Sequence, residues 1–589
     1  MKSIALPADV IFNIYRLEYH EYDANVLSLS HVCRPWRDVL QRFPDFWAKI
    51  DLYLGGRNPE FKALYWAKRA GQKPLKIHVR SDSQRPVAHR AIVRTGLVLR
   101  SCMDRWDTFT MDARSREIEH LLPICTGCTP RLRNFSLSCR PGSPEDPMRL
   151  LVPFLPSVEP PSDSSRLFVS IHSYIPRFTT FGVGITRLSV NVSMDPDHHS
   201  FDLNDLFSIF QSCPNLIEFD FSALGSEHTG PASFDGFIVL RRLTNFSVSW
   251  VWNIEDVLNV LRLPALESIT LHEVNWSDAA RAALWNVLGL SHSLSSVLIL
   301  QDDDYSYERN PVPFHGNPLT LSNVAIFHMW GNWTLLQPLL DLLTLPHVQE
   351  LDLAGASIRT AHRLISFSTN LRSLSLRNLA EVPADLDPTP NPAPAPILFP
   401  SLTSLHISGF PLFFNYINAP KLGTLALENR FNSACIVNSG AFLRVVPERS
   451  ASALTTLRLS GLDAGDKDIQ WCLERLPALE ELSILACAIS DSLLSALASL
   501  PVPNQSQNTD WILPRLKRFT FDENDHITPS GAIKFLASRT LNPVPGITGH
   551  FGFKHLSHRD ATAIMSYGSF LAAHHDIVYH MNLEDDDED

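Results

Sequence analysis

Four residues between positions 120 and 139 have the types and spacing to hold a metal ion. His120, Cys125, Cys128 and Cys139 include a C-x-x-C pair, and two thiolates at that separation have the bite of a zinc knuckle. The other two are loosely spaced, and Cys139 closes an apolar phrase that reads as a strand. The same residues therefore fit ordinary thiols of a connecting segment, and no metal is assigned. His198 and His199, like His574, His575 and His580, read as surface or packed imidazoles. The phosphate-cradling G-x-x-x-x-G-K-S/T, the zinc-protease H-E-x-x-H and the hydrolase G-x-S-x-G do not occur. The sequence nominates no catalytic residue and no cofactor.

A second group is suited to binding. Asp220, His272, His328, Trp330, Asp352, Arg377, His406 and Arg458 occupy corresponding places in a recurring phrase. Both charges, imidazoles and an indole are materials from which a protein hot spot is made. A solvated surface without a dedicated ligand uses the same materials, so the element that carries these residues has to be identified.

That element is a short strand. The phrase is often a proline, one residue, then apolar positions at i, i+3 and i+5: PRLRNFSL from Leu132, PNLIEFDF from Leu216, PALESITL from Leu266, PHVQELDL from Val348, TNLRSLSL from Leu371, PSLTSLHI from Leu402 and PKLGTLAL from Leu422. SALTTLRL, PALEELSI and PRLKRFTF follow, and weaker copies start at Trp106, Ile185, Leu243, Leu294 and Val324. The i+3 and i+5 side chains fall on one face of a strand and point into a core, whereas i+4 and i+6 point out. The eight candidates occupy those outward positions. From Ile185 to Leu516 the mean step is about 28 residues, close to the period of leucine-rich repeats, which the chain resembles here. Only Leu479, Leu482, Ile484, Cys487 and Ile489 reproduce the fuller repeat pattern.

Between the phrases the spacing turns helical, as in Leu203, Leu206, Phe207 and Phe210; Ala280, Ala283, Leu284, Val287 and Leu288; and Ile469, Cys472, Leu473 and Leu476. Strand and helix restacked many times predict an α/β solenoid, with a curved parallel sheet inside and helices outside. Proline-rich stretches at 141–164, 301–318, 383–398 and 501–510 read as extended surface loops interrupting an array over 101–550. A C-terminal cap over 551–583 and an acidic tail over 584–589 complete the expected organisation.

The first fifty residues have a different character. Pro7 starts a helix whose apolar side is Val10, Ile11, Ile14 and Tyr15; a second, after Asp23, aligns Val26, Leu29 and Cys33; Pro35 starts a third containing Trp36, Val39 and Leu40. So much apolar surface on so few residues needs a cover. At Leu6, Pro7, Ile11, Ile14, Val32, Cys33, Arg34, Trp36, Arg37, Pro44, Trp47 and Ile50 the segment resembles an F-box, and YWAKRAGQKPLKIHV over 65–79 resembles the helix and strand that join F-box to repeats in a large class of fungal proteins. An F-box over 4–55 and a linking helix and strand over 56–100 follow from that resemblance.

The resemblance implies a non-catalytic substrate-recognition subunit of an SCF-type cullin-RING ubiquitin ligase. In such a protein Leu6, Pro7, Val10, Ile11, Ile14, Val26, Leu29, Val32 and Cys33 would meet the SCF adaptor, and through it the cullin, while the array would hold an unknown protein target. Trp36, Trp47 and Ile50 would pack internally or against the repeats. Two other readings stay open: a non-ligase interaction scaffold in which these helices merely cap the solenoid, and an enzyme built around the cysteine cluster.

Bulk properties narrow the field. The 589 residues exceed what one core serves, and 45% hydrophobic with 19% charged residues suits a folded protein. No run of 18 apolar residues suggests a membrane span, and Asp9, Arg16 and Glu18 interrupt what would be a secretory signal. Nine dilute cysteines read as reduced thiols, so residence in the cytoplasm or nucleus is expected. The net charge is −12, half of it from Glu584 to Asp589. With no basic domain visible, nucleic acid and membrane are not expected as partners.

Overall fold

The computed structural model describes residues 7, 10, 13, 34–81, 87–139, 149–155, 166–192, 200–223, 227–228, 234, 236–301, 314–331, 333–379, 396–409, 411–429, 440, 443–450, 453–498, 511–540, 547–553 and 577–581. The chain is α/β, and it divides into two compact units, residues 1–294 and 295–589. Nothing in the repeated phrase marks that division, because the Leu294 copy straddles it.

In the first unit the main strands follow one another in chain order, each parallel to the last: Lys49–Tyr53, Leu75–Arg80, Trp106–Ala113, Asn134–Cys139, Leu167–His172, Ile185–Asn191, Glu218–Ser222, Asn245–Ser249 and Ser268–His272. The register places like on like. Ile50 opens an inward column that continues through Ile77, Phe109 and Phe135 and ends on Phe246 and Ile269. Each of these side chains is essentially excluded from water, and each such burial is worth about 1.5–3 kcal/mol. One strand of this ladder, Leu167–His172, carries no copy of the phrase; its VSI core is too short to stand out from the flanking Ser and Arg residues.

The second unit repeats the scheme from Ser296–Leu300 to Ile577–Met581 through Ile326–Met329, Glu350–Ala354, Ser373–Arg377, Ser404–Ser408, Thr424–Glu428, Thr456–Ser460, Glu481–Leu485, Arg518–Asp522 and Thr548–Phe553. Two buried columns run down it, Leu351–Leu374–Leu405–Leu425–Leu457–Leu482 and Leu353–Leu376–Ile407–Leu427–Leu459–Ile484. They are the i+3 and i+5 positions of the phrase. Gly549 then stands in register with Phe519, where a Cβ would lie 2.3 Å from the Phe519 ring; only the smallest residue leaves the ring that space. The ladder thus continues past residue 550, into the stretch expected to be a cap.

Helices connect several strands where the spacing changes to 3.6. Leu203–Ser212, Asp278–Leu290 and Asp466–Leu473 occupy the three segments singled out by their periodicity. Asp202 and Ser277 start two of them, each side chain accepting from a backbone N–H at 2.9 Å and so satisfying a donor that the first turn leaves open. The third N-terminal helix is present as Arg34–Arg42, and the expected linking elements as Pro59–Arg69 and Leu75–Arg80.

Two of the proline-rich stretches hold short strands instead of uninterrupted loop. Arg149–Val152, inside 141–164, pairs with Ile175–Phe178, and Ile397–Leu398, at the end of 383–398, pairs with Ile417–Asn418. Local proline content hid them because their partners come from later in the chain. The stretch 501–510 and the acidic tail lie outside the described residues. Among the described residues, no helix is long and apolar enough to cross a membrane.

Candidate functional site

Of the nine residues expected to meet an adaptor, Leu6, Ile11, Ile14, Val26, Leu29, Val32 and Cys33 lie outside the described residues. Pro7 is exposed and Val10 half-buried, and the Val10 N–H donates to the Pro7 carbonyl at 3.1 Å, one turn apart. The three residues expected to pack inward are better placed. Trp36 is half-buried, while Trp47 and Ile50 are 1% and 0% exposed. Trp47 ends the 3₁₀ turn Pro44–Trp47, and its indole N–H donates to the Leu40 carbonyl at 2.8 Å. Its ring meets Trp66 and Tyr65 edge to face, at 5.1 and 5.4 Å, and the Arg69 guanidinium lies 5.7 Å from its centroid. The turn Pro44–Trp47 is thereby wedged onto the linking helix.

The strand face carries the remaining candidates, in two separate sets. In the first unit Asp220 is exposed and accepts from the Ser189 hydroxyl at 3.1 Å, and His272 lies beside Glu273 at 3.9 Å and against the Trp250 ring. In the second unit the register aligns one outward row: His328, Asp352, Ser375, His406, Ala426, Arg458, Ser483, Thr520 and His550. The row contains His328, Asp352, His406 and Arg458, as the outward parity of i+4 requires. Trp330 and Arg377 come from the next outward positions.

These side chains form linked groups. Arg377 donates to Asp352 Oδ2 at 2.5 Å and to Ser375 Oγ at 3.3 Å, and its guanidinium lies 4.2 Å from the centroid of the Trp330 ring. Asp352 is buried, and its second oxygen has no hydrogen-bond partner among the described residues. His406 stands 3.4 Å from Glu428. Arg458 donates to Glu481 at 2.8 Å, and Arg518 holds the same carboxylate at 2.5 Å. Glu481 is therefore held below the ordinary carboxylate range, first by the Arg518 hydrogen bond and then, against the opposing effect of burial, by Arg458. Glu481 and Arg518 sit at i+2 of their phrases, a position that also points outward; strand parity alone was the signal that could have found them.

The cysteines do not converge. Cys125 is fully buried, its thiol pushed up to about 12 by loss of solvent, with Cys102 and the Gly96 carbonyl as neighbours. Cys128 is exposed, the buried Cys139 faces Tyr174, and His120 lies edge to face with His89. Among the described residues no three His, Cys, Asp or Glu side chains are grouped to hold a metal ion. A cleft of 460 Å³ in the first unit, lined by Leu258, Arg262, Val287 and Leu290, contains none of the candidates. The chemistry available on the strand faces is that of ion pairing, hydrogen bonding and stacking against a protein surface. No model of a known protein family matches this chain, and no curated protein matches it.

Proposed function

We propose that this chain is the substrate-recruiting subunit of an SCF-type cullin-RING ubiquitin ligase, docking its F-box-like N-terminal segment on the adaptor and holding a protein target on a leucine-rich-repeat face. The observation that carries the reading is the run Leu6, Pro7, Val32, Cys33, Arg34, Trp36, Trp47 and Ile50, joined without a break to a helix, a strand and a long parallel ladder. The helices expected from the sequence over the first forty residues would leave an apolar surface that needs a cover, and a partner protein supplies it. The outward row of the second unit offers a rigid platform of paired charges and a stacked indole, suited to a protein target. The chain breaks no bond itself; it brings a target close to a partner's active site.

Capture of purified adaptor by the full chain tests this. Wild type binds, and Leu6→Ala with Pro7→Ala abolishes binding while circular dichroism stays unchanged. Adaptor binding that survives both substitutions refutes the placement of the interface. Recovery of adaptor without cullin favours the non-ligase scaffold.

A further inference from the structure

The acidic total conceals a strongly basic segment. Residues 34–105 carry 16 Lys and Arg against six Asp and Glu, a formal +10, which leaves −22 for the rest of the chain. The expectation that no basic domain exists is corrected by that local count; averaging over the whole chain had hidden it.

Three of those cations, Lys68, Arg90 and Arg94, are displayed on the helices that also carry exposed apolar groups. Helix Pro59–Arg69 crosses from the first strand of the ladder to the second, and helix His89–Arg100 from the second to the third. Parallel crossovers of one hand put both helices on one side of the sheet, and here they pack together. Their solvent faces are mixed stripes. Phe61, Leu64, Tyr65 and Lys68 are exposed at i, i+3, i+4 and i+7 of the first helix, and Arg90, Arg94 and Leu97 at i, i+4 and i+7 of the second. Phe61 is 62% and Leu97 53% exposed. Arg94 reaches across to Glu60 at 3.6 Å and brings the two stripes side by side. Lys68 and Arg90 have no ion-pair partner among the described residues.

We propose that this two-helix face docks an acidic, apolar-bearing protein segment, a helix that sets carboxylates beside leucine-type side chains. Charge complementarity selects the sign of the partner, and aliphatic groups on both stripes select its class. Leu64 and Leu97 cannot stack on a nucleobase, and of the two exposed rings on the first stripe Tyr65 is already occupied by Arg69 at 5.2 Å and by the edge of Trp47, which leaves Phe61 alone and not a row of rings for successive bases. Stacking platforms are what sequence-tolerant nucleic-acid binding requires. The surface lies beyond residue 50, so the inference stands independently of the ligase reading.

Fluorescence anisotropy with the full chain tests it, using a labelled amphipathic peptide of alternating Glu and Leu faces, the same peptide with Gln for Glu, a single-stranded RNA and phosphatidylserine-containing vesicles. The Glu peptide is expected to bind at least about tenfold more tightly than its Gln version at low salt and to lose most of that advantage when the Debye length falls to about 3 Å at 1 M salt. Arg90→Glu with Arg94→Glu, and separately Lys68→Glu, weaken it by about tenfold or more; Phe61→Ser with Leu64→Ser weakens it at every salt concentration. All these side chains are exposed, and unchanged melting curves establish that the variants fold. Equal binding of the Glu and Gln peptides, variants that bind like wild type, or RNA or vesicles outcompeting the peptide would each overturn the proposal.

Discussion

Removing the Trp47 side chain should open the beginning of the parallel ladder. The ring is 1% exposed and wedged between the turn Pro44–Trp47 and the helix Pro59–Arg69, where it touches Trp66, Tyr65 and Arg69. Replacing a buried tryptophan by alanine costs about 3–5 kcal/mol through lost transfer energy and the cavity left behind. The Leu40 carbonyl loses its 2.8 Å donor as well, and the stranded acceptor places the cost toward the upper end. The strand next to this wedge, Lys49–Tyr53, pairs with Leu75–Arg80, so the loss should appear as local opening. At about 1.4 kcal/mol per factor of ten, a loss of 4 kcal/mol corresponds to about a thousandfold faster exchange of the ladder amides. Hydrogen exchange read by mass spectrometry on peptides covering 49–54 and 75–80 measures it, with 481–485 as the distant control. Trp47→Phe keeps a ring in the cavity and loses only the donor and part of the contact, so it should cost about 1–2 kcal/mol. If Trp47→Ala leaves exchange at 49–54 within about threefold of wild type, the wedge does not hold the strand and the reasoning fails.

Two further outcomes follow from the electrostatics. The folded Glu481 carboxyl titrates below its ordinary value, principally because Arg518 donates to it; its stabilising effect is therefore present above the unfolded glutamate value of about 4.3 and disappears as pH falls through the folded one. Glu481→Gln should lower the melting temperature at neutral pH, with the gap to wild type closing in acid; a gap that is constant with pH would show that the ion pairs contribute nothing. Burial pushes the Cys125 and Cys472 thiols to about 12 while Cys128 is exposed, so brief alkylation of the folded protein near pH 8 should label Cys128 and spare the other two until denaturant is added. Peptide mapping that finds Cys125 labelled as fast as Cys128 would refute its placement.

Legible in the chain alone were the parts whose signal is local and repeated. Spacing of i, i+3 and i+5 placed the main ladder strands from Leu132 to Leu516 other than Leu167–His172, and the change to 3.6 placed Leu203–Ser212, Asp278–Leu290 and Asp466–Leu473, because side-chain parity on a strand and angular spacing on a helix depend on neighbours in the chain. Parity also assigned His328, Asp352, His406 and Arg458 to an outward face. It did not reveal their partners. Arg377 meets Trp330 and Asp352, and Arg458 shares Glu481 with Arg518, because parallel strands bring together residues some 20 to 50 positions apart, and only the register decides which ones face each other. The strand Arg149–Val152 and the continuation to Ile577–Met581 were invisible for the same reason: each gains its identity from a strand elsewhere. The cysteines are the converse case. Their spacing in the chain fitted a common ligand and ordinary thiols alike, and burial put Cys125 and Cys139 into different surroundings while leaving Cys128 in water. Composition of the whole chain could not locate the basic two-helix face either, since charge acts through distance in space, and only folding packs the helix of Arg90 and Arg94 against the helix of Phe61 and Leu64.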